Sequence, residues 1–125
     1  MEYAKLGLWD LVIEDATTAL RLAKPNDTTY RSLAYNYRGI AYAQKKIWER
    51  VIADFTDCLR DFSILDDFPG LNIPYLGDIY RRRGATYFVI GDYPRARRDF
   101  EKALQFDPRN EAARIGLEVI RQYGY

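Results

Sequence analysis

Tyr80-Arg81-Arg82-Arg83-Gly84-Ala85-Thr86-Tyr87 restates Tyr35-Asn36-Tyr37-Arg38-Gly39-Ile40-Ala41-Tyr42. Each stretch has a Tyr, then Arg-Gly after two residues, then a second Tyr after two more. The match continues downstream. Val51-x3-Phe55-x3-Leu59 and Ala96-x3-Phe100-x3-Leu104 share their spacing, and sixteen residues separate Gly39 from Phe55 and Gly84 from Phe100. Apolar residues three and four apart lie on one face of a helix. Each copy therefore reads as a helical hairpin, with a glycine where the two axes cross closely and a Tyr filling the neighbouring gap.

The same period extends outward. Trp9, Val12, Ile13, Ala16, Ala19 and Leu20 form an apolar stripe before the first copy. Gly7, Lys45-Lys46 and Gly91-Asp92 are the predicted short turns between helices. Asp92 is placed to cap a helix whose first turn holds Pro94, where a missing N–H costs little. Asp107-Pro108 repeats that signal and predicts a last helix running to about Gln122. Ser63 to Pro74 is the one long irregular segment, with a Phe-Pro-Gly turn and Pro74 opening the next helix.

Composition narrows the chemistry. The 125 residues contain no histidine, one cysteine, nineteen bases and eighteen acids, for a net charge of +1. Without His, neither a His-activated Ser or Cys nucleophile nor an imidazole-ligated metal can be built. Cys58 alone cannot form an intrachain disulfide or a CxxC site, and it reads as a buried thiol. Asp66-Asp67 is a loop pair without a third ligand at useful spacing. No cofactor, metal or catalytic residue is expected, and the chain is not expected to be an enzyme. A content of 48% hydrophobic and 15% aromatic residues excludes a disordered linker. No apolar run reaches the ~20 residues of a membrane span, and no signal segment opens the chain. The expectation is a cytoplasmic protein with no membrane partner.

These residues resemble the tetratricopeptide repeat family, whose signature is aromatic-x2-Leu-Gly-x2-Tyr, then Ala-x3-Phe, then Pro. The resemblance implies an all-α fold of antiparallel helix hairpins stacked as a right-handed superhelix, an α-solenoid. It divides a single domain, 1–125, into an incomplete first repeat (1–24), a second repeat (32–62), a long connection (63–76), a third repeat (77–108) and a closing helix (109–125). Tyr3, Tyr42 and Tyr87 would fill one recurring seam. The opening half of the first repeat would lie before Met1.

The resemblance also implies a function: a scaffold or adaptor that holds a peptide or helix of a partner protein in a concave groove. First-helix residues not needed for packing are the groove candidates. They are Leu33, Asn36, Tyr37, Ile40 and Ala43 in one repeat, and Asp78, Arg81, Arg82, Ala85 and Phe88 in the next. Asn36 offers a donor and an acceptor to a peptide backbone, and Arg81 offers a fork suited to carboxylate. Both also fit ordinary solvated helix positions. The Lys and Asn set with which some family members hold chaperone C-termini is not kept. Only Arg82 lands on one of its basic places, and Asp78 sits where a Lys is wanted.

Arg38 and Asp54 are sixteen apart, as are Arg83 and Asp99. Each Arg replaces the family's Leu before Gly, so each pair is expected as a structural ion pair across its hairpin. Asp15 is the equivalent acid of the first unit, without its Arg. Six arginines against one acid between 81 and 98 raise RNA or DNA contact as the weaker partner reading; Arg95, Arg97 and Arg98 are expected on a solvated face. An alternative is an oligomerisation module or a fragment of a longer solenoid, self-associating through the Trp9, Val12, Ile13 stripe. The apolar connection (Phe62, Ile64, Leu65, Phe68, Leu71, Ile73) is expected to pack on the array or on a partner.

Overall fold

Helix propensity and period carry through almost the whole chain. The computed structural model describes the backbone of residues 2–68 and 70–125, and the side chains of 7–65, 67, 68 and 70–125. Within these residues the α-helices are α1 (Glu2–Leu22), α2 (Thr28–Gln44), α3 (Trp48–Arg60), α4 (Pro74–Val89), α5 (Tyr93–Phe106) and α6 (Glu111–Gln122), with a short 3-10 turn at Ser63–Asp67. No strand occurs among the described residues. The chain gathers into two compact units, residues 1–61 and 62–125.

In the first unit, α2 packs between α1 and α3. Its core is Ala16, Ala34, Ala41, Val51, Phe55, Cys58 and Leu59. Gly39 is there because Phe55 lies against it: a Cβ at that position would stand 2.8 Å from the Phe55 ring. In the second unit, α5 packs on α4 and α6 around Leu76, Ile79, Tyr80, Ala96, Phe100, Ala103, Phe106, Ala113 and Ile120. Phe100 is held from two sides, since a Cβ at Gly84 or Gly116 would meet its ring at 3.1 or 2.6 Å.

Three expectations change. Gly7 does not break the chain; α1 runs through it unbroken. A lone glycine in a helix costs only about 1 kcal/mol against alanine, and the neighbouring residues sustain the helix. The last helix starts at Asn110, not at Asp107-Pro108. Asp107 ends α5 and accepts from the Arg109 N–H, while the Asn110 side chain accepts from the Ala113 N–H at 3.1 Å. The apolar connection is only partly packed: Phe62, Leu65 and Ile73 are half-buried, but Ile64, Phe68 and Leu71 stay exposed. A five-residue 3-10 turn has no broad face to bury. Arg95, Arg97 and Arg98 are all exposed on α5. The Tyr3 and Asp66 side chains lie outside the described residues, as do Met1 and Pro69.

Candidate functional site

The α1–α2 contact leaves an apolar cleft of about 410 Å³. From α1, Val12, Ala16 and Ala19 line it, with exposed Asp15 at its edge. From α2 come Tyr30, Leu33, Ala34 and Tyr37. Spacings of three and four put Tyr30, Leu33 and Tyr37 on one helical face. That face is not covered: Tyr30 is 54% exposed, Leu33 38% and Tyr37 57%. Two of the groove candidates, Leu33 and Tyr37, thus meet in one cleft. The sequence reading missed Tyr30 and the α1 wall, although Tyr30 sits one turn before Leu33 in the same pattern.

The other candidates behave differently. Ile40 and Ala43 are half-buried along α2. Asn36 is half-buried, and its Oδ1 is buried without a hydrogen-bond donor. An unmet buried acceptor costs about 1–3 kcal/mol, so Asn36 holds an unused acceptor. On α4, Asp78 binds both neighbouring arginines. Arg81 donates to its Oδ1 from Nη2 at 2.7 Å, and Arg82 Nε donates to its Oδ2 at 3.1 Å. Burial works to raise the Asp78 carboxyl, but these arginines outweigh it and hold the group below its ordinary value. Ala85 is half-buried. Phe88 packs against Tyr93 and Tyr123, with ring centres at 5.2 and 6.0 Å. The Tyr123 contact depends on the chain end after α6, which returns the C-terminal tyrosines to the α4–α5 corner.

Arg38 and Arg83 close their hairpins. Arg38 Nε and Nη2 donate to Asp54 Oδ2 and Oδ1 at 2.9 and 2.7 Å. Arg83 makes the same fork to Asp99, both bonds at 2.8 Å. The aspartate side chains are only 4% and 6% exposed. Burial pushes both carboxyls above their ordinary value, and the arginine bonds only partly oppose it. The fork to Asp54 holds Arg38 above its usual value. Burial lowers Arg83, and its bonds to Asp99 more than restore it. The carboxylates carry the cost of burial, so these pairs specify the hairpin more than they stabilise it.

The three α5 arginines go to different places. Arg95 pairs with Asp92 and stands over the Tyr87 ring at 6.0 Å. Arg97 pairs with Glu101 and donates to the Tyr125 carbonyl. Arg98 lines a second cleft with Lys102 of α5 and with Tyr80, Arg83 and Tyr87 of α4. Among the described residues no helix is long and apolar enough to cross a membrane.

Three comparisons bear on this architecture. Residues 77–110 match the model of the tetratricopeptide repeat. The heat shock protein STI1 of Saccharomyces cerevisiae is 26% identical over 114 residues, which is 91% of this chain. The chain spans only 17% of that relative's length. The first tetratricopeptide domain of Spaghetti (RPAP3), solved with the HSP90 peptide SRMEEVD, superposes with a TM-score of 0.73 at 23% identity, covering 98% of this chain and 84% of that one. The second such domain of human RPAP3, solved with the HSP70 peptide SGPTIEEVD, gives 0.70 at 24% identity, over 96% and 87% of the two chains.

Proposed function

We propose that this chain, a tetratricopeptide-repeat protein, is an interaction adaptor that holds a peptide or helix of a partner by an apolar side chain seated in the α1–α2 cleft. The carrying observation is the uncovered stripe of Tyr30, Leu33 and Tyr37 above a cleft of about 410 Å³. Burying a large apolar side chain is worth about 1.5–3 kcal/mol, and the two tyrosines add hydroxyls that can fix a peptide backbone. The reading assigns the chain no chemistry of its own and puts it in the cytoplasm.

Selection of peptides displayed on phage against the purified chain tests this. Selected peptides should share a large apolar residue and bind about tenfold more weakly to Leu33→Ser and Tyr37→Ser, a loss of ~1.4 kcal/mol. Equal binding to both variants, with unchanged circular dichroism, defeats the reading. SRMEEVD and SGPTIEEVD belong in the same assay, because two similar domains were solved with them. Against them stands Asp78, which engages Arg81 and Arg82.

A second reading is self-association. Leu8 and Leu11 are 61% and 54% exposed on α1, beside half-buried Trp9, Val12 and Ile13. Light scattering at two concentrations decides it, and a strict monomer at both ends it.

A further inference from the structure

The second cleft lies within the 62–125 unit and encloses about 300 Å³. Its floor is the Arg83–Asp99 fork, and its walls are Tyr80 and Tyr87. Arg95, Arg98 and Lys102 line it from α5, at spacings of three and four that set them on one face. Four cations and one carboxylate line this cleft, and both oxygens of that carboxylate accept from Arg83.

The tyrosines are not open stacking platforms. Arg83 stands over Tyr80 at 5.6 Å and over Tyr87 at 5.8 Å, and Arg95 stands over Tyr87 at 6.0 Å. Tyr80 also stacks on Phe106 at 5.8 Å. The rings orient guanidinium groups and leave little face for a nucleobase. Arg95 is 62% exposed and shares only an i,i+3 pair with Asp92, so it can exchange partners.

The other hairpin is an internal control. It keeps Tyr35, Arg38, Tyr42 and Asp54, but carries Arg50, Ala53 and Asp57 where α5 has Arg95, Arg98 and Lys102. There Arg38 spans to α1, donating to Thr17 at 3.1 Å, and Asp57 pairs with Arg60. The hairpin forms without the extra cations, so they are not needed for its packing.

We propose that this cleft binds a phosphomonoester, carried by a phosphoserine or phosphothreonine of a partner peptide. A dianion with three acceptor oxygens suits several convergent cations in a small volume better than a single carboxylate does. The source of the phosphate rests on the peptide-binding reading; the chemistry of the cleft does not.

The test is an amide-resolved NMR titration of the full chain at low salt. Inorganic phosphate is added first, then a short Gly-Ser peptide with one phosphoserine, its unphosphorylated form and its Glu form. Inorganic phosphate and the phosphopeptide should shift α4 and α5 amides. Affinity should fall at least tenfold in Arg98→Ala/Lys102→Ala, stay unchanged in Arg114→Ala, and weaken as salt rises. Equal affinity in the double variant, or no phosphate-dependent shift, overturns the proposal. A Glu peptide that binds as tightly as the phosphopeptide overturns the phosphoryl preference, and a short single-stranded RNA that binds tighter than both overturns the peptide source. The inorganic phosphate arm does not involve the α1–α2 cleft, so failure there and failure of the adaptor reading are separable.

Discussion

The α2–α3 and α4–α5 hairpins share Tyr, Arg, Gly, Tyr and Asp at the same spacing, yet they present different surfaces. Beside the first lies an apolar cleft with exposed tyrosines; on the second lies a cleft ringed by cations. Beneath the surface they also fill one seam in two ways. Ser32 and Cys58 meet in the first, Oγ to Sγ at 3.1 Å. Gly77 and Ala103 take those places in the second, where a Cβ on Gly77 would stand 2.8 Å from Asp107 Cβ and 3.0 Å from the Ala103 carbonyl oxygen. The repeat thus constrains the ion pair and the Gly–Phe crossing, and leaves the rest free to vary.

The hardest way to break the equivalence is to remove one arginine. Arg38→Ala and Arg83→Ala each strand a buried aspartate and should cost roughly 3 kcal/mol, read as a drop in denaturant midpoint. The loss should shrink on acidification. An aspartate whose folded pKa is raised binds its proton more readily in the folded chain. Its ionisation therefore costs stability, and that cost is relieved as pH falls through the folded value. Removing the arginine raises Asp99 further, so Arg83→Ala should recover part of its deficit as pH falls through that raised value. A deficit that does not change with pH would mean Asp99 is not buried as charge.

Copying the seam comes next. Gly77→Ser, which imports the residue of the first hairpin, should cost about 2 kcal/mol by overpacking against main chain that cannot yield. A neutral result would mean α4 and α5 can separate freely.

The turns give a gain instead. Lys46 holds a positive φ of 61° where the second hairpin has Gly91, and Ile47 makes no side-chain cap where Asp92 accepts from the Arg95 N–H. Lys46→Gly with Ile47→Asp should stabilise by roughly 1–2 kcal/mol. Thermal melts would show it as a higher midpoint.

Acid separates the hairpins further. Desolvation works to raise Asp92, but its bonds to Arg95 together outweigh that and hold it below its ordinary value, as Arg81 and Arg82 do for Asp78. A depressed carboxyl stabilises above the unfolded value and loses that contribution as pH falls through the folded one. Both depressed groups lie in the 62–125 unit. Asp78→Asn should flatten the acid limb below about pH 4. The smallest effect belongs to Arg81→Ala, which removes a partly buried i,i+3 pair within one helix and should shift stability by less than about 0.5 kcal/mol. A loss matching that of Arg83→Ala would remove the distinction between the two positions.

How much of this was legible follows from what each feature depends on. Spacing within one helix and across one hairpin survives in sequence, so the Tyr-Arg-Gly-Tyr repeat led to the helix pairs, and the sixteen-residue interval aligned Arg38 with Asp54. Features that need a third element did not. The α1–α2 cleft requires the α1 wall, and Phe88 meets Tyr123 only after the chain has folded back. The Asp78 clasp on Arg81 and Arg82 competes with solvent on one helix, and residue type does not decide that competition. The start of α6 was misread because Asp-Pro marks a turn as readily as a cap.

Cys58 has a further consequence. It is fully buried against Ser32, and both tryptophans, Trp9 and Trp48, belong to the same 1–61 unit. Thiol-labelling rates and indole emission therefore report the opening of that unit, while the other responds through tyrosine and phenylalanine. The natural sequence already carries the probes to follow one half of the molecule independently, without an engineered label.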